Sequence, residues 1–318
     1  MTAVRALGGA ALTAAFALAA LPAVAAPARD TPFQFGVIGH SFKSGPDESV
    51  LKRAIIDATQ TNPAFIVATG IKASTEPCSD KLYAQRRAIL DESDKPMFVS
   101  LAGSDWSGCL NSAGRSNAIE RLNRLREVFF IDGESLGARK LALTRLSGSA
   151  KFRSYAENAH WEYGKVLFAT INLPANNNHY RPEAGRNSEY EDRLVANRAW
   201  LHRLFTLAER SKLDGLVLFS DGDIGLPQDS SWFALPSFQS KQDGFAEPRR
   251  QIKAMAEQFK GKVLLIDAQG GPAVEPAINW RGNVGHLSLA AEWIQVRVTP
   301  GAATLFTIKG GNADSAPQ

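Results

Sequence analysis

Short apolar, β-prone runs alternate along this chain with stretches whose apolar positions recur at helical spacing. Phe33 to Gly39 reads as a strand, and Glu48 to Thr59 follows with Val50, Leu51, Ala54, Ile55 and Ala58 on one helical face. Phe65 to Thr69 is a short buried-type strand, Ser79 to Leu90 a helix and Pro96 to Leu101 a third strand. Asn117 to Phe130 is amphipathic, with Ile119, Leu122, Leu125, Val128 and Phe129 on one side. The second half keeps the alternation. Trp161 to Ile171 predicts a hairpin turning at Gly164-Lys165. Glu189 to Arg210 is the longest helical stretch, Leu213 to Phe219 a continuous apolar strand, Phe245 to Lys260 a helix and Val263 to Asp267 another buried strand. Trp293 to Thr299 and Thr304 to Lys309 flank a Pro300-Gly301 turn, so the C-terminal part is expected to be antiparallel.

Parallel-type strands each followed by a helix, with antiparallel strands later, predict an α/β fold of layered sheets covered by helices. Nothing between the segments has the composition of a linker. Residues 31–310 are therefore expected to form a single domain, with 311–318 a disordered tail. Asn176 to Arg186 and Asp221 to Gln242 are long polar or Gly/Pro-broken loops that read as excursions rimming a site. At the N-terminus Arg5 precedes an apolar run from Ala6 to Leu21, Pro22 breaks it, and Ala23-Val24-Ala25 presents small residues. A signal peptide over residues 1–25, cut after Ala25 or Ala26, is expected. An uncleaved anchor would need roughly 20 apolar residues, and no later stretch reaches that length. The expectation is an exported protein, periplasmic or secreted, with no stable membrane span after cleavage.

Hydrophobic residues make up 44% of the 318, enough for a sizeable core. The 36 basic and 32 acidic residues leave a net charge of +4. They are interspersed, with no basic run longer than the pairs Arg86-Arg87 and Arg249-Arg250, which excludes a nucleic-acid footprint. The cysteines are two, Cys78 and Cys109. In an exported protein an even pair predicts a disulfide, and closing a loop of about 30 residues would contribute roughly 3–4 kcal/mol by the chain-entropy argument. No His or further Cys stands near the pair at metal-ligand spacing.

In sheets of this kind ligands sit beyond the carboxyl ends of the strands. Reading those ends in order gives Val37-Ile38-Gly39-His40-Ser41, then Ala68-Thr69-Gly70-Ile71-Lys72 with Pro77-Cys78-Ser79-Asp80, then Ala102-Gly103-Ser104-Asp105-Trp106-Ser107-Gly108-Cys109. The order resembles the calcineurin-like metallophosphoesterases, and within them an exported bacterial branch carrying a Pro-Cys-Ser-Asp and a Trp-x-x-Cys segment. The resemblance runs over most of residues 33–309. It implies a four-layer sandwich, two mixed β-sheets flanked by helices, and a site for two cations about 3.5–4 Å apart. It also implies a ligand set that this sequence departs from at every strand end. His40 stands where an Asp belongs, and Gly70 runs straight into Ile71 without the bridging Asp. Gly103-Ser104-Asp105 is one residue short of the family's Gly-Asn-His-Asp/Glu motif and has no His. Asn172 stands for a His, Ser220-Asp221-Gly222-Asp223 contains none, and Asp267-Ala268-Gln269 falls where a His pair is expected. Two dications 4 Å apart repel by roughly 4 to 16 kcal/mol between water and a dielectric of 20, and shared anions must offset that.

The residual cleft candidates are therefore His40, Asp105, Asn172, Asp221, Asp223 and Asp267, with no confident catalytic residue and no two-metal cofactor. They could hold a single hard cation, or serve as ordinary strand-end hydrogen bonding and turn chemistry. Asn176, Asn177 and Asn178, followed by His179, are either loop-ordering or ligand-contacting; the branch has a similar Asn run. His179 and His286 lack spaced partners, and no nucleophile elbow, Walker loop or dinucleotide fingerprint is present. Three functions stay open. The first is a catalytically inactive descendant binding a small ligand or an envelope protein. The second is a phosphoesterase with a remodelled single-metal site using His40 and Asp105. The third is a structural protein making contacts through Trp232 and Phe233.

Overall fold

The computed structural model describes residues 30–181, 187–226, 243–271, 275–290 and 293–309. The expected signal peptide, the tail, and Trp232 with Phe233 lie outside them. Strands β1 (Phe33–Ile38), β2 (Ile66–Thr69) and β3 (Met97–Ser100) alternate with helices α1 (Glu48–Gln60) and α2 (Asp80–Asp91). Each helix starts where the sequence offers a cap: Asp47 accepts the Ser49 amide at 2.8 Å and Ser79 Oγ accepts that of Leu82 at 3.2 Å. A single turn, α3 (Gly103–Trp106), and α4 (Ala118–Phe129) follow. The second half comprises β4 (Thr144–Arg145), β5 (Ala159–Tyr163), β6 (Val166–Thr170), α5 (Ser188–Arg210), β7 (Gly215–Phe219), α6 (Ala246–Gln258) and β8 (Lys262–Asp267). Then come β9 (Asn279–Arg281), β10 (Val284–Ser288), β11 (Trp293–Val298) and β12 (Phe306–Lys309).

The strands form a five-stranded sheet in the order β12-β11-β1-β2-β3 and a seven-stranded sheet in the order β4-β5-β6-β7-β8-β10-β9. Both are mixed. β1, β2 and β3 are parallel while β11 runs against β1 and β12; β6, β7, β8 and β10 are parallel with antiparallel edges.

Alternation along the strands sorts the side chains into layers. Phe35, Val37, Val67 and Phe98 face Phe168, Val217, Phe219 and Leu264 between the sheets. Phe98 stacks on Trp161 with ring centroids 3.6 Å apart, and Phe65 lies edge-on to Phe168 at 4.9 Å. The opposite residues, Ile38, Ile66, Ala68 and Val99, pack against Leu51, Leu90, Leu122 and Leu125 of α1, α2 and α4. Trp200, Leu204 and Ile252 of α5 and α6 cover the far face of the larger sheet. The result is helix, sheet, sheet, helix, as expected from the sequence. Among the described residues no helix is long and apolar enough to cross a membrane.

Four elements, β4, α3, β9 and β10, have no forerunner in the hydrophobic pattern. Two-residue β4 and four-residue α3 are too short to carry a period. The β9–β10 hairpin escapes because β9 is exposed throughout and β10 contains Gly285 and His286 in place of an apolar run. Its turn at Gly282 needs φ +61°, a glycine conformation.

Candidate functional site

The loops after β1, β2, β3, β6, β7 and β8 meet around a cleft of about 560 Å³, lined by His40, Lys43, Lys72, Ser104, Asn176 and Asp221 among others. A larger recess of about 960 Å³ lies at the opposite end of the larger sheet, around Lys212, Asp214 and Lys262. None of the candidate site residues lines it, whereas His40, Asn176 and Asp221 line the cleft.

His40 is buried, with Nε2 2.7 Å from Ser104 Oγ. Burial, and after it the charges of Lys43 and Lys72, lowers its imidazole to about 4, so the ring is neutral at physiological pH. Gly70, at φ +72°, passes directly beneath; a Cβ there would lie 2.9 Å from His40 Nε2 and 3.0 Å from Ala102 Cβ. Lys72 is fully buried and donates to the carbonyls of Ala73 at 2.8 Å and Ser104 at 2.7 Å. Burial lowers its amine below the usual lysine range, against the charges of Asp105 and Glu76. Lys43 reaches across from the smaller sheet to the Ala268 carbonyl at 3.1 Å. Among the described residues neither amine forms an ion pair.

Asp105 is wholly buried and does not line the cleft. Its Oδ1 accepts the amides of Ile71 (2.9 Å) and Lys72 (3.2 Å), and Oδ2 accepts that of Ala102 (2.7 Å). The carboxyl thus ties the loop after β2 to the loop after β3. Burial pushes it up to about 7, against the pull of those amides and of Lys72.

Asp221 does line the cleft. Its Oδ2 accepts the amides of Gly103 (2.7 Å) and Ala175 (2.8 Å), and burial pushes it up to about 6 against those donors. Gln269 Nε2 donates to the Asp221 carbonyl at 2.9 Å.

Asp223 and Asp267 turn away from it toward β10. His286 Nε2 lies 2.5 Å from Asp267 Oδ2 and 3.5 Å from Asp223 Oδ1. Burial alone would lower the His286 imidazole, but the hydrogen bond and charge of Asp267, with the charge of Asp223, hold it above the usual histidine value.

Asn172 belongs to an interior network. Its Nδ2 donates to Glu157 at 3.0 Å and its carbonyl accepts from Arg193 at 3.2 Å and Asn197 at 3.0 Å. Of the asparagine run, Asn176 faces the cleft, donating to Ser107 Oγ at 2.9 Å. Asn177, Asn178 and His179 have φ of 53°, 54° and 54°, three successive left-handed residues. Asparagine tolerates that region better than any residue but glycine, which explains the run. Asn177 Oδ1 accepts the Gly244 amide, and buried Asn178 is held by Arg193 and by the Gly244 carbonyl. Arg193, itself fully buried, is matched by Glu189 at 2.7 Å. Burial would raise the Glu189 carboxyl, but Arg193 and His179 bring it down to about 2.

The six cleft candidates are therefore distributed over three places: His40 and Asp221 at the cleft, Asp105 and Asn172 in the walls behind it, Asp223 and Asp267 beside β10. Lys43, Lys72, Ser104 and Gln269 were not among the candidates, since a single lysine, serine or glutamine carries no spacing signal. Cys78 and Cys109 are disulfide-bonded, with Cα atoms 5.9 Å apart, and both line the cleft.

No family model matches the chain, and no curated protein does. Among solved structures it is similar to PhoD, at 11% identity over 86% of this chain and 66% of that one, with a TM-score of 0.51. The fold is metallophosphoesterase-like. The chain spans just under two thirds of the PhoD structure's length, and at this identity the similarity speaks to architecture alone. A novel phosphatase from Mycoplasma pneumoniae is more distant, at 9% identity over 82% of this chain and 72% of that one, with a TM-score of 0.41. On the metallophosphoesterase-like frame, the cleft described above occupies the usual ligand position beyond the parallel strand ends.

Proposed function

We propose that this is an exported protein that has kept the phosphoesterase-like frame, has lost two-metal catalysis, and uses its cleft to hold a small ligand bearing an anionic group. The observation that carries the reading is the fate of the carboxylates. A pair of divalent cations needs a shared carboxylate and several flanking anions or imidazoles within reach. Of the strand-end groups, Asp105 is taken up by three backbone amides, Asp221 gives one oxygen to two more, and His40 alone brings an imidazole. Two amines, Lys43 and Lys72, line the same cleft. This donor set does not fit a cation pair. It fits an anion: two amines that form no ion pair among the described residues, the Ser74, Ser104 and Ser107 hydroxyls and the Asn176 amide surround the space. The disulfide and the N-terminal apolar run support export.

The test is a titration of the purified protein with inorganic phosphate by calorimetry, beside an assay of generic phosphomonoesters and diesters with added manganese. Measurable phosphate binding that weakens about tenfold in Lys43→Ala, a loss typical of one charge-assisted hydrogen bond, is the expected result, together with no turnover. Manganese-dependent turnover that disappears in His40→Ala or Asp221→Asn would overturn the reading.

A further inference from the structure

Beside the cleft, among the described residues, one group brings three potential ligand atoms from His, Cys, Asp or Glu within 4.8 Å of one another: Asp223, Asp267 and His286. We infer that these residues form a binding site for one transition-metal dication of the zinc class, at the edge of the larger sheet. It lies outside the cleft proposed above to hold the anionic ligand.

Three features point the same way. First, the atoms converge although their residues come from the loop after β7, the end of β8 and the middle of β10. His286 Nε2 carries at most one hydrogen, yet it faces carboxylate oxygens at 2.5 and 3.5 Å. An isolated Asp267–His286 ion pair would use the first and leave the second held by the Gly225 amide alone. A dication satisfies all three, and ligands of a tetrahedral zinc ion, each about 2.0–2.2 Å from the metal, stand about 3.3 Å apart.

Second, the ligands are aimed from outside. Asp267 Oδ1 accepts the Gln269 amide at 2.9 Å and the Ser288 hydroxyl, which turns Oδ2 to the imidazole. Asp223 accepts the Gly225 amide at 2.7 Å, and Arg249 holds its carbonyl. The His286 ring lies so close over Gly225 that a Cβ there would fall 2.5 Å from two ring atoms. Such supporting contacts orient metal ligands and are worth 10–100-fold in affinity, on the order of what mutation of them costs elsewhere. Third, Asp267 is buried while Asp223 is exposed, so one side of the site opens to solvent and leaves coordination positions for water or a ligand. One imidazole with two carboxylates suits zinc, cobalt or manganese better than calcium or magnesium, which take oxygen ligands.

The test uses the untagged full chain, stripped with a chelator and titrated with cobalt(II) by absorption and with zinc by calorimetry. One cobalt per chain is expected, with visible bands of low coordination number. Affinity is expected to fall at least tenfold in Asp223→Asn, an exposed change that leaves the core untouched, and to vanish in His286→Ala. His40→Asn is expected to bind as the parent does. No binding by the parent chain, or binding that survives both Asp223→Asn and His286→Ala, overturns the inference. Loss in His40→Asn with retention in His286→Ala overturns it and the cleft reading together. Failure of phosphate binding alone touches only the cleft reading.

Discussion

Among the described residues, Asn177, Asn178 and His179 are three successive left-handed residues, a demanding local geometry. A left-handed conformation costs an ordinary residue roughly 1–2 kcal/mol, and Asn178 adds hydrogen bonds to buried Arg193 and to Gly244. Asn178→Ala is expected to lower stability by about 2–3 kcal/mol in urea unfolding, combining strain with loss of the side-chain bonds to Arg193 and the Gly244 carbonyl. Asn177→Gly, which relieves φ and gives up the bond to Gly244, is expected to cost less than half as much. The sequence made the run conspicuous but not its reason, because backbone handedness leaves no trace in composition. Asp105 shows the converse. It stood where a ligand was plausible, and only its three amide partners reveal a wall clamp. Its neighbours Lys72 and Ser104, which line the cleft, had no pattern that could single them out.

Elements were legible in proportion to the length of their period. β1, α1, α2, β3, α4, the β5–β6 hairpin, α5, β7, α6 and β8 fall within a residue or two of where apolar spacing put them. The exposed β9–β10 hairpin did not, and His286 went unassigned with it: its partners sit at positions 223 and 267, adjacent only through strand order. The cysteine pair was read from count and compartment, and it bridges the approach to α2 and the end of the turn after α3. Cys78→Ala with Cys109→Ala is expected to lower unfolding stability by about 3–4 kcal/mol, a 31-residue separation by the chain-entropy relation. Because both cysteines line the cleft, the same variant should also weaken phosphate binding, measured by calorimetry.

Across the whole molecule, buried titrating groups oppose one another. His40 and His160 are both lowered by burial to about 4 from 6.5, so the unfolded chain binds more protons between those values and stability rises with pH. Asp105 and Asp221, pushed up to about 7 and about 6 from 3.8, do the reverse, favouring the folded state at low pH and losing that advantage as pH climbs. The two sets largely cancel in the parent. In His40→Asn, where the aspartates are no longer fully offset, stability is expected to fall by up to about 3 kcal/mol from pH 4.5 to 6.5 while the parent stays nearly level, measured by urea unfolding at both values. Layered sheets covered by helices followed from the alternation in strands and the periodicity in helices, and the four-layer order from the resemblance to metallophosphoesterases. The distance between the sheets at the cleft did not, because it depends on single long-range contacts. Asp221 supplies the decisive one: its Oδ2 seats the Gly103 amide from one sheet's loops and the Ala175 amide from the other's. A mouth pinned from both sides at one oxygen has a fixed gauge. Together with the Lys43 bond to the Ala268 carbonyl and the Asn176 bond to Ser107, that oxygen sets the span of the opening, and widening it means breaking all of them at once.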